Sequence, residues 1–163
     1  MSFRDRLLAG GALLTLGLAG FLFWRFFAAN RVGGEQAYFY DLSEQRLFVA
    51  SRDSIPPIRG LNDATADGVR AVVISRTGKP SDRSSHGVAY LETCTPALKQ
   101  ALETARRQGV APALSRSEAQ SQRLVRRPAD ADWHAIDSPE GERIVTEWAV
   151  PGPEGITPVV CTP

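Results

Sequence analysis

The chain has 163 residues, a formal net charge of +1, 43% hydrophobic and 23% charged residues, two Cys and two His. It has too little cysteine for a disulfide-stapled mini-protein, and a charged fraction near the globular average argues against wholesale disorder. Its near-neutral charge offers no basic footprint, so nucleic acid is not an expected partner.

Leu7 to Trp24 is an 18-residue run without a charge, followed by Arg25 and the apolar segment Phe26–Ala29. As a helix the run spans roughly 27 Å, close to the hydrocarbon thickness of a bilayer. Trp24, Phe26 and Phe27 beside Arg25 suit the headgroup region, where aromatic rings sit and an Arg side chain snorkels. The expected organisation is a short cytoplasmic tail at 1–6, a transmembrane anchor at 7–29, a linker at 30–36 and an extracytoplasmic domain at 37–163. A cleaved signal peptide needs small residues before the cut; the nearest candidate offers Phe27 and Ala29, a poor fit. Arg4 and Arg6 face Arg25 and Arg31 across the run, so flanking charge leaves orientation open. The layout of a short tail, one apolar segment and a whole domain predicts an uncleaved signal anchor with its N-terminus inside and its C-terminal domain outside the cytoplasm.

The run AYFYDLSEQRLFVA reads as a hairpin with strands at Ala37–Tyr40 and Arg46–Ala50. SRDSIPPIRGLNDATADG carries Pro56, Pro57, Gly60 and Gly68 and predicts an irregular loop with an extended Ile-Pro-Pro-Ile piece. VRAVVIS and VAYLE then form an antiparallel pair across the loop RTGKPSDRSSHG. TCTPALKQALETARRQG is a helix by every local signal: Thr95 caps it, Pro96 opens it, Leu98, Ala101, Leu102 and Ala105 share a face, and Gly109 stops it. Ser115 and Glu118 have capping-box spacing, which predicts a second helix running toward Pro128. DWHAID, SPEGE and RIVTEWAV read as a second hairpin, and ITPVVC as a short last strand. The expected fold class is α+β: an N-terminal transmembrane helix, then one small domain with an antiparallel sheet and one or two covering helices.

The succession YFYDL, LFV, IPPI, GVRA, YLE before a Thr-Pro helix, and RR followed by Trp133 and SPEG resembles a group of small uncharacterised bacterial proteins with one N-terminal membrane helix. The resemblance implies a fold and a cell-envelope address, and no reaction. Members of that group often carry cysteines after the GVRA-like strand. The corresponding loop here, RTGKPSDRSSHG, has none, so no metal or redox role carries over.

Cys94 and Cys161 both stand in Cys-Thr-Pro, and outside the cytoplasm they are a candidate disulfide. Their spacing to His86 and His134 matches no zinc motif, so no metal and no cofactor is expected. Asp82, Ser84, Ser85 and His86 have the residue types of a hydrolase triad, but five neighbouring loop residues make a polar turn, not a scaffolded site. The sequence names no catalytic residue. Charge is patterned more sharply: six Arg lie from Arg106 to Arg127 against Glu118, and seven acids from Pro128 to Glu154 against Arg143. On the second predicted helix Arg116, Arg123 and Arg127 share one face by the 3.6 period, a candidate interaction surface unless the acidic segment neutralises it. The expected role is a non-enzymatic, membrane-anchored binding or accessory module with an envelope protein as partner. The alternatives are an envelope enzyme or a pilin-like subunit; the latter should carry a Glu near the start of the apolar run, which has none.

Overall fold

The computed structural model describes residues 35–62, 65–152 and 154–163; the expected anchor at 7–29 lies outside them. Residues Gln36–Pro163 form one compact unit. Its sheet has seven antiparallel strands: β1 (Gln36–Asp41), β2 (Arg46–Ser51), β3 (Gly68–Ser75), β4 (His86–Cys94), β5 (Arg123–Arg126), β6 (His134–Ala135) and β7 (Val159–Cys161). Three α-helices complete the described residues: α1 (Pro96–Gln108), α2 (Arg116–Ser121) and α3 (Pro139–Glu147). The strand order is β2-β1-β3-β4-β5-β6, and β7 pairs with β3 beyond the point where β1 leaves it.

The first hairpin forms where aromatic and β-branched residues alternate, and Gln45 takes the positive φ of 52° that closes its loop. Asp41, fully buried at the end of β1, accepts hydrogen bonds from the Ser43 hydroxyl and from the backbone N–H groups of Glu44 and Leu61. One carboxylate thereby ties the hairpin to the loop that follows β2. That loop is irregular as expected, contains a cis peptide between Pro56 and Pro57, and returns to the sheet through Ile58 opposite Gly68.

Val69, Ala71 and Val73 of β3 form a buried layer with Leu91 and Cys161, against which Tyr38, Tyr40, Leu42, Val88 and Trp133 pack. The intervening residues serve the other face, where the Arg70 guanidinium lies over the Phe39 ring. On α1 the Thr95 hydroxyl accepts from the Leu98 N–H at 3.2 Å, Leu98 and Ala105 are buried, and Gly109 ends the helix in the left-handed region. Each feature follows from the local signals that predicted it.

Two expectations are corrected. The second helix stops at Ser121: its capping box at Ser115 and Glu118 forms, but RLVR leaves the helix to become β5, paired with Leu91–Cys94 of β4. The unpaired edge of β4 supplies ladder partners for four residues, and Val125 becomes fully buried there, which a thinly apolar helix turn could not match. The second correction is RIVTEWAV, predicted as a strand and found mainly in α3. Ser138 caps this helix by accepting from the Gly141 N–H at 3.0 Å, Pro139 occupies the first turn, and Glu140 and Glu142 lie at its positive end. The SPEGE segment, expected as a turn, is a helix start.

Candidate functional site

The C-terminal end of β3, the end of α3 and the chain leading into β7 enclose an open groove of about 550 Å³. Ile74, Val88, Trp148, Val150, Ile156 and Pro158 make its apolar wall, with Arg76, Glu147 and Glu154 at its polar edges. Trp148 follows α3 directly, and its indole N–H donates to the Val145 carbonyl at 2.8 Å. The polar edge of the ring is satisfied within the helix, which leaves its carbon surface for the groove. Gly155, with φ of 71°, turns the chain back so that the Gly152 N–H meets the Ile156 carbonyl at 3.0 Å. Large apolar side chains stay in solvent around this groove: Val150 is 66% exposed, Val160 51% and Ile156 37%. Val160 faces Ile74 across the ladder and so points to the same side of the sheet.

Electrostatically the groove is simpler than its composition implies. Both oxygens of Glu147 accept from the Arg127 fork, the Nη2 contact being 2.7 Å, and these bonds hold the Glu147 carboxyl below its ordinary range. Arg127 also pairs with Asp130 at 2.9 Å and Glu140 at 3.0 Å, and the three carboxylates keep its guanidinium firmly protonated. Arg76, immediately after β3, is exposed at the groove edge.

None of the residues singled out from the sequence lines this groove. Arg116, Arg123 and Arg127 do not share a helix face. Arg116 opens α2, Arg123 begins β5 and pairs with Glu92 at 3.3 Å, and Arg127 lies just beyond β5 inside its acidic trio. The basic stripe read from a helical period dissolves because the period changes at Gln122. Neutralisation of basic residues by the following acidic segment, the alternative reading of the charge pattern, is the arrangement found at Arg127.

The candidate disulfide is also corrected: both thiols are free. Cys94 continues the β4 register two positions past Glu92, which faces Arg70, so it stands level with Gly68. Cys161 faces Val73 from the opposite edge of β3. Five residues along the strand and two strand spacings across separate the pair by roughly 19 Å, whereas a bridge needs Cα atoms within about 7 Å. Cys94 opens on a second cavity, about 400 Å³, beside Leu98, Leu102 and Arg123. Burial pushes its thiol pKa up, the reverse of what a thiolate nucleophile requires.

Asp82, Ser84, Ser85 and His86 form a turn around the Arg83–Ser85 segment. Asp82 accepts from the Ser84 hydroxyl at 2.6 Å and the Thr77 hydroxyl at 3.0 Å, which hold its carboxyl low. Ser85 reaches the buried Ser75 hydroxyl at 2.8 Å, while His86 Nε2 lies 2.9 Å from the Pro80 carbonyl oxygen and donates to it. The imidazole is therefore turned to the backbone and not to either serine. His134 sits on β6 opposite Val125. Among the described residues no three His, Cys, Asp or Glu are grouped to hold a metal ion, and no helix is long and apolar enough to cross a membrane.

The fold is α+β with a seven-stranded antiparallel sheet and three helices among the described residues. No family model, curated protein or solved structure matches the chain.

Trp148, Val150 and Ile156 are the candidate functional residues that the sequence reading missed. A signal was present: Ile144, Val145 and Trp148 have helical spacing behind the Ser138-Pro139-Glu140 start, which leaves Val150 and Ile156 as apolar residues with no element to bury them.

Proposed function

We propose that this chain is a single-pass, membrane-anchored protein whose domain lies outside the cytoplasm and serves as a binding or accessory module of the bacterial cell envelope. The observation that carries the binding reading is the apolar groove at the end of β3, with Val150 and Val160 half or more exposed around it. Contiguous exposed apolar surface is uncommon on a soluble domain and marks contact surfaces. The anchor reading rests on the uncharged run from Leu7 to Trp24 and on the unsuitable cleavage position after it. The most fully bonded ionisable groups of the domain support the same reading. Arg127, Glu140, Asp41 and Asp82 each have their hydrogen-bonding capacity engaged in holding elements together.

The test is topology of the full chain carrying a C-terminal tag. The chain is expected to resist alkaline carbonate extraction, to keep the intact mass of its N-terminus, and to lose its tag to protease added to spheroplasts. A mature form beginning near Ala28–Arg31, or a tag that only cytoplasmic protease reaches, overturns it.

A further inference from the structure

We propose that the groove end of the domain rests on the bilayer surface, with lipid covering Val150, Ile156 and Val160 and with Arg76 at the level of the lipid phosphates. This inference rests on the anchored reading above and names the partner of the same groove.

Three observations converge on it. The first is where the remaining chain joins. β1 begins at Gln36 and runs antiparallel to β3, so the point where the described domain begins lies toward the C-terminal end of β3. The groove is built on that same end, from Ile74 and Arg76. The second is the length of the connection. The linker expected at 30–36 reaches at most about 25 Å when fully extended, about the length of the eight-residue β3 itself. A domain held by so short a tether keeps its attachment end near the bilayer. A weak contact then suffices, because tethering raises the local concentration of lipid that the patch meets.

The third observation is the chemistry of the surface. Exposed Val150, Ile156 and Val160 surround Trp148, whose self-satisfied N–H and apolar ring suit the interface between headgroups and acyl chains. Arg76, Lys79 and Arg83 follow β3 in the adjacent loop and are all exposed. Of the carboxylates near the groove and its loop, Glu147 is occupied by Arg127 and Asp82 by hydroxyl donors, while Glu154 lies at the groove edge. Apolar side chains edged by cations are what an anionic leaflet accommodates.

The experiment places a photoreactive diazirine amino acid at single positions of the full chain in nanodiscs of phosphatidylethanolamine and phosphatidylglycerol. Val150 and Val160 are the test positions. Leu47 and Leu61, 39% and 46% exposed, are controls at the opposite end of the sheet, beside the Asp41 end of β1. All four are exposed enough for the replacement to leave the fold intact, and each variant's melting temperature verifies this. Lipid adducts are expected severalfold more often at Val150 and Val160 than at either control. Equal yields at all four positions, or adducts at Val150 and Val160 that are chiefly to protein, overturn the inference. Protein adducts would assign the groove to a second copy or an envelope protein. If the chain stays in the disc through carbonate treatment while its yields are control-like, this inference alone fails. If the chain leaves the disc, the anchored reading fails and takes this inference with it.

Discussion

Arg127 is the residue whose role changed most between sequence and structure. As one of three Arg on a presumed helix face it should face a partner; just beyond β5 it is instead the centre of an internal cluster with Asp130, Glu140 and Glu147. The cluster has a pH signature. Glu140 is held down to about 2, first by Arg143 and then by Arg127. Its folded pKa lies below the unfolded value of about 4.3, so its contribution is complete above that pH and is lost as pH falls toward 2. Arg127→Met keeps the apolar stem and removes the fork. It is expected to lower the melting temperature at pH 7 and to flatten the loss of stability between about pH 4.5 and 2. Part of the slope should survive, because Arg143 still holds Glu140 and because Asp41 is held low by the Glu44 and Leu61 N–H groups. Thermal melts from pH 2 to 7 decide this; an unchanged acid slope in the variant removes the cluster from the stability of the fold.

Among the elements, α3 shows how far a local signal can be misassigned. Ser138, Pro139 and Gly141 are common in turns, and here the same residues start a helix, since Ser138 caps the Gly141 N–H and also donates to the Ala135 carbonyl. Gly141 is required by close approach: a Cβ there would stand 2.0 Å from the Ala135 carbonyl oxygen. Ser138→Ala is expected to cost about 1 kcal/mol, the usual value of an N-cap. Gly141→Ala must displace backbone, and should cost more than the roughly 1–3 kcal/mol of ordinary overpacking. Chemical denaturation of both variants checks the order. If Gly141→Ala is the milder change, α3 does not pack on β6 in this way. The α2–β5 junction teaches the complementary lesson. The capping box specified where α2 begins, but its end was decided by the free edge of β4, which lies far away in sequence.

For the whole molecule, the sheet keeps the two cysteines apart. Cys161 is buried in the main core and Cys94 is half-buried at the far end of β4. In the native chain, iodoacetamide is expected to label Cys94 slowly, with a rate still rising above the pH at which an ordinary thiol has ionised, because burial raises its pKa. Cys161 should label only on unfolding. Denaturation without reductant should release two alkylatable thiols, which peptide mass mapping would count; recovery of a Cys94–Cys161 linked peptide would contradict the register of β3 with both neighbours.

What the sequence determined by itself were features whose causes lie within a few residues. These are the first hairpin, read at 37–40 and 46–50 and found at 36–41 and 46–51, the pairing of β3 with β4, and α1 with its Thr95 cap and Gly109 stop. Alternation, capping and helix termination act locally, so they survive whatever packs around them. The tertiary structure alone decided the fates of RLVR and RIVTEWAV, the separation of the cysteines and the groove. Ile74, Trp148 and Ile156 come together only through the sheet, and no pattern in one segment encodes which apolar residues of another will be left uncovered. A short segment with mixed preferences takes the conformation that its available partner completes. Arg123 and Arg127 followed different partners for that reason, Glu92 and the acidic trio, and Val150, Ile156 and Val160, left uncovered by the described elements, remained at the surface.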